Sequence, residues 1–469
     1  MKDKISIIGA GLAGSLLSVY FAKKGFKVDV FERYPDLRKA NVGGGKSINL
    51  ALSARGIYAL KEAGMYEDIK KIAIPMYGRM IHGLDGSTQL QRYGKDNSEY
   101  INSVSRSELN KRLMDLAETH PEVKFHFNMR CTGMDFNSNE IHFYNEIYKK
   151  PADINSKITI GADGATSPIR MEMLKIPRFN FSQEYENYGY KELTIPAGAG
   201  GTFQMEKNAL HIWPRGAFML IALPNLDGSF TCTLFLAYDE KLGGANSFEK
   251  LESKEQVSSF FEKNFPDVIP VMPDFTESFF ENPTGTLMTV KCFPWSIGGK
   301  ALLLGDAAHA IVPFFGQGMN AAFEDCTYLM DIIDKTRLNP PLNEGNADLN
   351  WKKIFSEFER LRKPDADAIA DLAQENFIEM RDLVAQPRYQ LKKKIETELY
   401  KKFPEKVMPK YSMVTFHRLP YSVALSRGKT QENILNILSE NKKDISEIDW
   451  LLAESLVNEQ LTDLDIKGL

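Results

Sequence analysis

Gly9-x-Gly11-x-x-Gly14 constrains this chain more than any other feature. The short apolar run Ile5 to Ile8 leads into it, as a buried parallel strand does. Ser15 to Lys24 then shows helical apolar spacing, with Gly25 placed as a C-cap. Val28-Asp29-Val30-Phe31 reads as a second strand and ends at Glu32. Strand, glycine turn, helix, strand and acid together form the unit that binds dinucleotides. The glycines allow a tight turn and let backbone N–H groups approach a pyrophosphate, where the helix N-terminus adds partial positive charge. Glu32 is placed to accept hydrogen bonds from both ribose hydroxyls of the adenosine. The motif alone leaves FAD and NAD as alternatives.

The rest of the composition narrows the field. A chain of 469 residues with 43% hydrophobic and 26% charged residues is an ordinary soluble globular protein, large enough for a core without staples. Its length suggests roughly three domains, or one large two-domain enzyme. The net charge is -4, with no basic stripe for nucleic acid and no polybasic segment for an anionic membrane. Cys131, Cys232, Cys292 and Cys326 are scattered without a CxxC pair, which argues against a disulfide scaffold or structural zinc. Seven histidines show no HExxH spacing, so metal catalysis is not indicated. No run approaches the roughly 18 apolar residues of a membrane span, and neither end reads as a targeting signal. A cytoplasmic protein is expected.

Two further motifs resolve the cofactor. Ala301-Leu-Leu-Leu-Gly305-Asp306 reads as a strand, followed by Ala307-Ala308-His309 and then Pro313-Phe-Phe-Gly316-Gln-Gly318-Met319-Asn320 leading to Asp325. This resembles the second FAD fingerprint of aromatic-ring hydroxylases related to para-hydroxybenzoate hydroxylase. In that family the Asp bonds the ribityl chain, and the following helix points its N-terminus at the pyrimidine end of the flavin. A reduced flavin is anionic there, and a helix N-terminus stabilises an anion. Gly161-Ala-Asp163-Gly164 lies between these fingerprints and resembles the family's Asp-Gly motif, which touches FAD. There is no second GxGxxG unit for a separate NAD(P)H domain. His309 is read as loop support rather than a base.

Longer stretches resemble the kynurenine 3-monooxygenase family: Lys46-Ser47-Ile-Asn-Leu-Ala-Leu-Ser53, Pro75 to His82, Ser103-Val-Ser-Arg106, His211-Ile-Trp-Pro-Arg215, Asn376-Phe-Ile-Glu-Met-Arg381 and Tyr411 to Phe416. The resemblance runs to about residue 425. It implies an α/β fold: a Rossmann-like FAD-binding domain (1–75, 101–178, 291–340) interleaved with an antiparallel β-sheet substrate domain (hairpin 76–100, sheet 179–290), plus C-terminal helices (341–469). It implies substrate contacts at Arg79, Tyr93, Asn376 and Tyr411, with Arg79 pairing a carboxylate through its planar fork. FAD contacts transfer to Gly9, Gly11, Gly14, Glu32, Arg106 and Cys131, and to Asp163, Asp306, Gly318, Met319 and Asn320. They transfer also to Lys46 and Ser47; the family's usual Arg is Lys46 here, which keeps the charge and loses the fork. The implied reaction is hydroxylation of L-kynurenine to 3-hydroxykynurenine with NADPH and O2, through a C4a-hydroperoxide of non-covalently bound FAD. No catalytic acid or base is assigned, because the aniline nitrogen itself activates the ring. The eukaryotic members' hydrophobic C-terminal anchor has no counterpart in the charged tail, so a soluble form is expected, with the tail covering the active site.

Local patterning bears on two of these residues. Ile369, Leu372, Ala373, Asn376, Phe377 and Met380 fall on one helical stripe, so Asn376 is expected to be buried and hydrogen-bonded, either to backbone or to a ligand. In the expected hairpin at 75–95, a two-residue turn Asp85-Gly86 sets Arg79 opposite Arg92, a like-charge pair. A three-residue loop Asp85-Gly86-Ser87 sets it opposite Tyr93, aiming both at one site; the alternative for Arg79 is a solvated charge. Rival functions are a related hydroxylase or epoxidase with another substrate, a flavin oxidase or reductase, and a non-catalytic FAD-binding scaffold.

Overall fold

Ile5, Ile7, Val28, Val30, Ile158 and Ile160 are almost wholly shielded from solvent, which is why these short apolar runs form central strands. The computed structural model describes residues 3–39, 49–94, 97–338, 349–383 and 386–464. The chain divides into two compact units. The first comprises Met1–Ala73, Val104–Tyr185 and Met288–Ala370; the second comprises Ile74–Ser103, Glu186–Leu287 and Asp371–Leu469. The last boundary falls inside the helix Trp351–Ile378.

In the first unit a six-stranded sheet runs in the order Ser296–Ile297, Ala301–Leu303, Ile158–Gly161, Lys4–Ile8, Lys27–Phe31, Val123–His126. All its pairs are parallel except the first. The helix after the glycine turn is Leu12–Lys23, starting three residues earlier than its apolar spacing suggested. Gly25 follows it in the left-handed region at φ +75°, the αL stop a glycine adopts without steric cost. Leu109, Leu113 and Leu116 on one face predict an amphipathic helix over Val104 to Glu118, whereas the helix is Arg106–Glu118. Val104 and Ser105 end the strand Ile101–Ser105, and the Ser105 hydroxyl caps the helix by accepting from the Glu108 N–H.

In the second unit a seven-stranded sheet has the order Thr284–Phe293, Asn180–Ile195, Phe230–Ala237, Met219–Pro224, Leu210–Pro214, Gly78–His82, Thr88–Arg92. The pairs from Asn180–Ile195 through to Leu210–Pro214, and the hairpin Gly78–His82 with Thr88–Arg92, are antiparallel, while Leu210–Pro214 and Gly78–His82 run parallel with Leu210 beside Arg79. Leu193, Trp213, Leu220 and Leu234 pack with Phe260, Phe261 and Phe265 in and after the helix Lys254–Asn264. The helices Pro387–Lys402, Tyr421–Leu438 and Trp450–Gln460 share an apolar cluster of their own around Ile395, Ile434 and Val457. No helix among the described residues is long and apolar enough to cross a membrane.

The hairpin corrects both expected registers. Its loop is Leu84-Asp85-Gly86, closed by Gly83 N–H to Ser87 O at 2.8 Å and Gly86 N–H to Gly83 O at 3.3 Å. Gly86 has φ +80°, the αL residue that ends a three-residue hairpin loop. Asp85 Oδ1 accepts from both the backbone and hydroxyl of Ser87, which draws Ser87 out of the loop. Arg79 therefore faces Gln91, not Arg92 or Tyr93.

Candidate active site

The three fingerprint glycines do different work. A Cβ on Gly14 would lie 2.0 Å from Gly9 O, and one on Gly9, at φ +102°, would lie 2.4 Å from Ala162 O. Both are packing requirements. A Cβ on Gly11 would meet no protein atom within 4 Å, so it would occupy the open space in front of the helix start. The first-turn N–H groups of Leu12–Lys23 have no intrahelical acceptors and are open to an anionic ligand there. Glu32 closes one side: Oε2 accepts from Ala10 N–H at 2.8 Å and Oε1 from Tyr34 N–H at 3.0 Å. Each oxygen keeps a lone pair for a ribose hydroxyl. Arg106 is exposed at the start of its helix. Four residues on, Asn110 donates to Ala10 O at 2.9 Å, which sets that helix face against the glycine loop.

Asp163 and Asp306 are both in this first unit and differ sharply. Asp306 is exposed at the head of the short helix Asp306–His309. Asp163 Oδ2 accepts from Ile169 N–H at 3.3 Å, while Oδ1 is buried without a partner. Burial pushes the Asp163 carboxyl up to about 6, against bonds from Ser167 and the backbone. Arg170 links the two loops by donating to Ala307 O at 2.8 Å and to Ala165 O. Cys131 is half-buried beside Asp163; burial, then that carboxylate, push its thiol up to about 12, so it is an inert wall.

Gly318, Met319 and Asn320 open the 21-residue helix Gly318–Leu338. The Asn320 side chain is fully committed: Oδ1 accepts from Ser53 N–H at 3.0 Å, and Nδ2 donates to Ala51 O at 2.8 Å and Gly316 O at 2.9 Å. That leaves its backbone N–H, at the positive end of the helix, for any ligand there. Behind it, Asp325 accepts from His309 Nε2 at 2.6 Å, Gly305 N–H at 3.2 Å and Arg362 Nε at 2.8 Å, so His309 ties its loop to the long helix. Lys46 and Ser47 lie outside the described residues. An orphaned buried oxygen on Asp163, an open face at Gly11, an exposed Asp306 and two helix N-termini fit a flavin dinucleotide.

The second unit brings together Arg79, Tyr93 and Tyr411. Tyr93 lies two residues beyond Gln91, on the same face as Arg79 and diagonal to it, so the corrected register still lets them meet. The Arg79 guanidinium sits 4.4 Å from the Tyr411 ring centroid and 5.9 Å from that of Tyr93. The two tyrosine rings stack at 5.4 Å, with Phe416 against both. Arg79 Nε and Tyr93 Oη are buried without hydrogen-bond partners. Burial opposes the Arg79 charge, but Tyr411, Tyr93, Glu379 and Tyr389 around it hold its proton more firmly than usual. Burial raises the Tyr93 hydroxyl well above its ordinary range, so it stays a neutral donor. Asn376 is buried as expected, and its Nδ2 donates to Met380 Sδ at 3.2 Å.

Glu379 is the acid that sequence reading passed over. It opens the wider turn Glu379–Leu383, which packs on the strand Leu210–Pro214 beside Arg79's own. Tyr389 Oη donates to Glu379 Oε1 at 2.5 Å. Burial opposes its charge, yet Lys393, Tyr389, Lys410 and Arg79 hold its carboxyl below the usual range. The signal was present: an acid three residues after Asn376, on the same side of the helix. A cation, an anion and aromatic walls in one place suit an amino-acid zwitterion bearing a ring.

Comparison with known proteins agrees with this geometry. Residues 2–336 match the FAD binding domain family. The chain is 47% identical over 461 residues to the kynurenine 3-monooxygenase of Myxococcus xanthus, covering 98% of this chain and 96% of that one. It is 45% identical over 464 residues to that of Dictyostelium discoideum, covering 98% and 99%. Among solved structures, 2-methyl-3-hydroxypyridine-5-carboxylic acid oxygenase superposes with a TM-score of 0.64 over 82% of this chain and 94% of that one; at 17% identity this is a likeness of fold. By its near-full-length identity to those enzymes and its FAD binding domain, the chain belongs to the kynurenine 3-monooxygenase family.

Proposed function

We propose that this protein hydroxylates L-kynurenine to 3-hydroxykynurenine in the cytoplasm, consuming NADPH and O2 with FAD bound non-covalently. The observation that carries the substrate reading is the Arg79 guanidinium, whose Nε is buried without a partner against two tyrosine rings. A buried donor on a charged group demands an acceptor, and the α-carboxylate of an amino acid supplies one bidentately. Tyr93 and Tyr411 donate to the same carboxylate, while Glu379 faces the α-ammonium. Asn376, buried on the same helix stripe, is the further substrate contact that the family resemblance implies.

Bound FAD supplies hydride acceptance and oxygen activation, which no side chain provides. Glu32, Arg106 and the Gly11 turn would hold the adenosine and pyrophosphate. Asp306 would hold the ribityl chain, and the N–H groups of Gly318, Met319 and Asn320 at the helix start would favour negative charge on the bound group. The phenyl and phenol walls exclude water from the ring. The aniline nitrogen of the substrate donates electron density to the carbon ortho to it, so no protein base is required. Stopped-flow reduction of the bound flavin by NADPH tests this: L-kynurenine should accelerate bleaching. An unchanged rate at saturating L-kynurenine would count against it.

A further inference from the structure

The helix Tyr421–Leu438 carries a buried glycine, Gly428, in its interior. Glycine weakens a helix relative to alanine, so helix propensity does not account for it. Its surroundings do. A Cβ on Gly428 would lie 2.8 Å from Lys410 Cδ and 3.1 Å from Lys410 Cγ. The aliphatic stem of Lys410 therefore crosses the helix where a side chain is missing. Its ammonium then reaches Glu375, with Nζ 3.0 Å from Oε2.

Two neighbours of Gly428 hold the same stretch of chain. Gln431 lies three residues on and so on the same side of the helix. It grips Met408 by both backbone groups: Oε1 accepts from Met408 N–H at 3.1 Å and Nε2 donates to Met408 O at 2.8 Å. Gln431 is buried, so water does not compete for these bonds. Arg427 donates through Nη2 to Lys406 O. The carbonyl of Lys406, the backbone of Met408 and the stem of Lys410 are thus all fixed on one helix.

The segment so fixed leads straight into the site residues of this unit. Lys410 opens the short helix Lys410–Thr415, and the next residue is Tyr411. The Tyr411 ring lies 4.4 Å from the Arg79 guanidinium and stacks on Tyr93. A helix of six residues is too short to hold itself, so the place of Tyr411 depends on what its ends are tied to. At the other end of the ion pair, Glu375 immediately precedes Asn376 in Trp351–Ile378. The pair joins the element that carries Tyr411 to the element that carries Asn376, one residue away from each.

We infer that Gly428, Lys410 and Glu375 are positioning residues for substrate recognition: the slot at Gly428 seats the Lys410 stem, and the Lys410–Glu375 pair sets Tyr411 relative to Asn376. This rests on the reading that Arg79, Tyr411 and Asn376 contact the substrate. None of the three belongs to an FAD motif, so the device acts on affinity for substrate and not on FAD.

Titrating L-kynurenine against the flavin absorbance of the FAD-loaded protein tests this, with melting temperature and FAD content measured for each variant. Gly428→Ala puts a methyl group where the stem passes, so the helix gains propensity while Lys410 is displaced. FAD content should match the parent and the melting temperature should be at or above it. Kd should nevertheless rise about threefold or more, because the ion pair is lost with the seat. Lys410→Met keeps a stem over the slot and removes only the charge, so it decides the matter even if Gly428→Ala does not fold. It should raise Kd about threefold, within the range of a partly exposed ion pair. In a Lys410→Ala background there is no stem to displace, so adding Gly428→Ala should change Kd no further; helix packing alone would not produce that non-additivity. A parental Kd in either single variant, or additive effects in the double variant, overturns the inference. Arg79→Ala, run alongside, separates the two layers. An unaltered Kd there means that the reading of the site has failed; a raised Kd there, with parental values in Gly428→Ala and Lys410→Met, means that only the positioning role has.

Discussion

Replacing Arg79 with alanine separates recognition of the substrate from the flavin chemistry. The guanidinium lies against Tyr411 at 4.4 Å and Tyr93 at 5.9 Å, with Nε shielded and unpartnered. Its ring contacts exist without substrate, so they do not set the change in binding; the carboxylate contact does. Truncating one partner of a desolvated, hydrogen-bonded charge pair costs about 2–5 kcal/mol. At 1.4 kcal/mol per decade, that is roughly a thirtyfold to several-thousandfold rise in Kd. The variant leaves the substrate carboxylate against phenol rings and Phe416, where nothing replaces a two-donor fork. Arg79→Lys should recover only part, because an ammonium keeps the charge without the planar geometry. FAD content should match the parent, since Arg79 belongs to none of the FAD motifs. Titrating L-kynurenine against the flavin absorbance measures Kd directly. A parental Kd in Arg79→Ala would refute the assignment, as a solvated surface charge typically shifts energies by only about 0.5 kcal/mol.

Four other outcomes follow from the geometry. Tyr93→Phe should weaken L-kynurenine binding by about 0.5–1.5 kcal/mol, yet leave thermal stability unchanged or raised, because it deletes a buried unpartnered hydroxyl; a clear fall in Tm would show that the hydroxyl is already bonded. Gly11→Ala should fold and lose FAD, since its Cβ enters the open face, whereas Gly14→Ala should lower Tm in the apoprotein, its Cβ being 2.0 Å from Gly9 O; equal apoprotein melting points would contradict this. Arg362 is fully buried and bonds Glu324 and Asp325, so Arg362→Ala should destabilise by roughly 3–5 kcal/mol in a denaturant titration; a loss under 1 kcal/mol would be too small for a broken buried network. Asp163, raised to about 6 from about 4, favours folding while protonated, so its contribution is complete below pH 4 and lost as pH rises to 6. Asp163→Asn should flatten the apoprotein's Tm profile in that window, and a parallel profile would contradict it.

The strand–turn–helix of residues 5–31 was legible because its signals are local: glycines at fixed spacing, an apolar run and an acid at the strand end. The hairpin register was not. Whether Ser87 belongs to the loop depends on Asp85 capturing its N–H and hydroxyl, and Asp-Gly fits more than one loop length. The start of the helix at Arg106 was missed because the apolar spacing of Val104 continues the helical pattern, while the cap at Ser105 overrides it. In the site, Asn376 was found from its place on an apolar stripe, but Glu379 was not, because its partners Tyr389, Lys393 and Lys410 come from other helices.

The most direct test of the central claim is the fate of oxygen. Purified protein containing FAD is incubated with NADPH, L-kynurenine and isotopically labelled O2, and the product is analysed by mass spectrometry. The account predicts 3-hydroxykynurenine carrying one labelled oxygen on the ring, formed in step with NADPH consumption. NADPH consumption that yields only hydrogen peroxide and unchanged kynurenine, or product whose new oxygen comes from water, would contradict it.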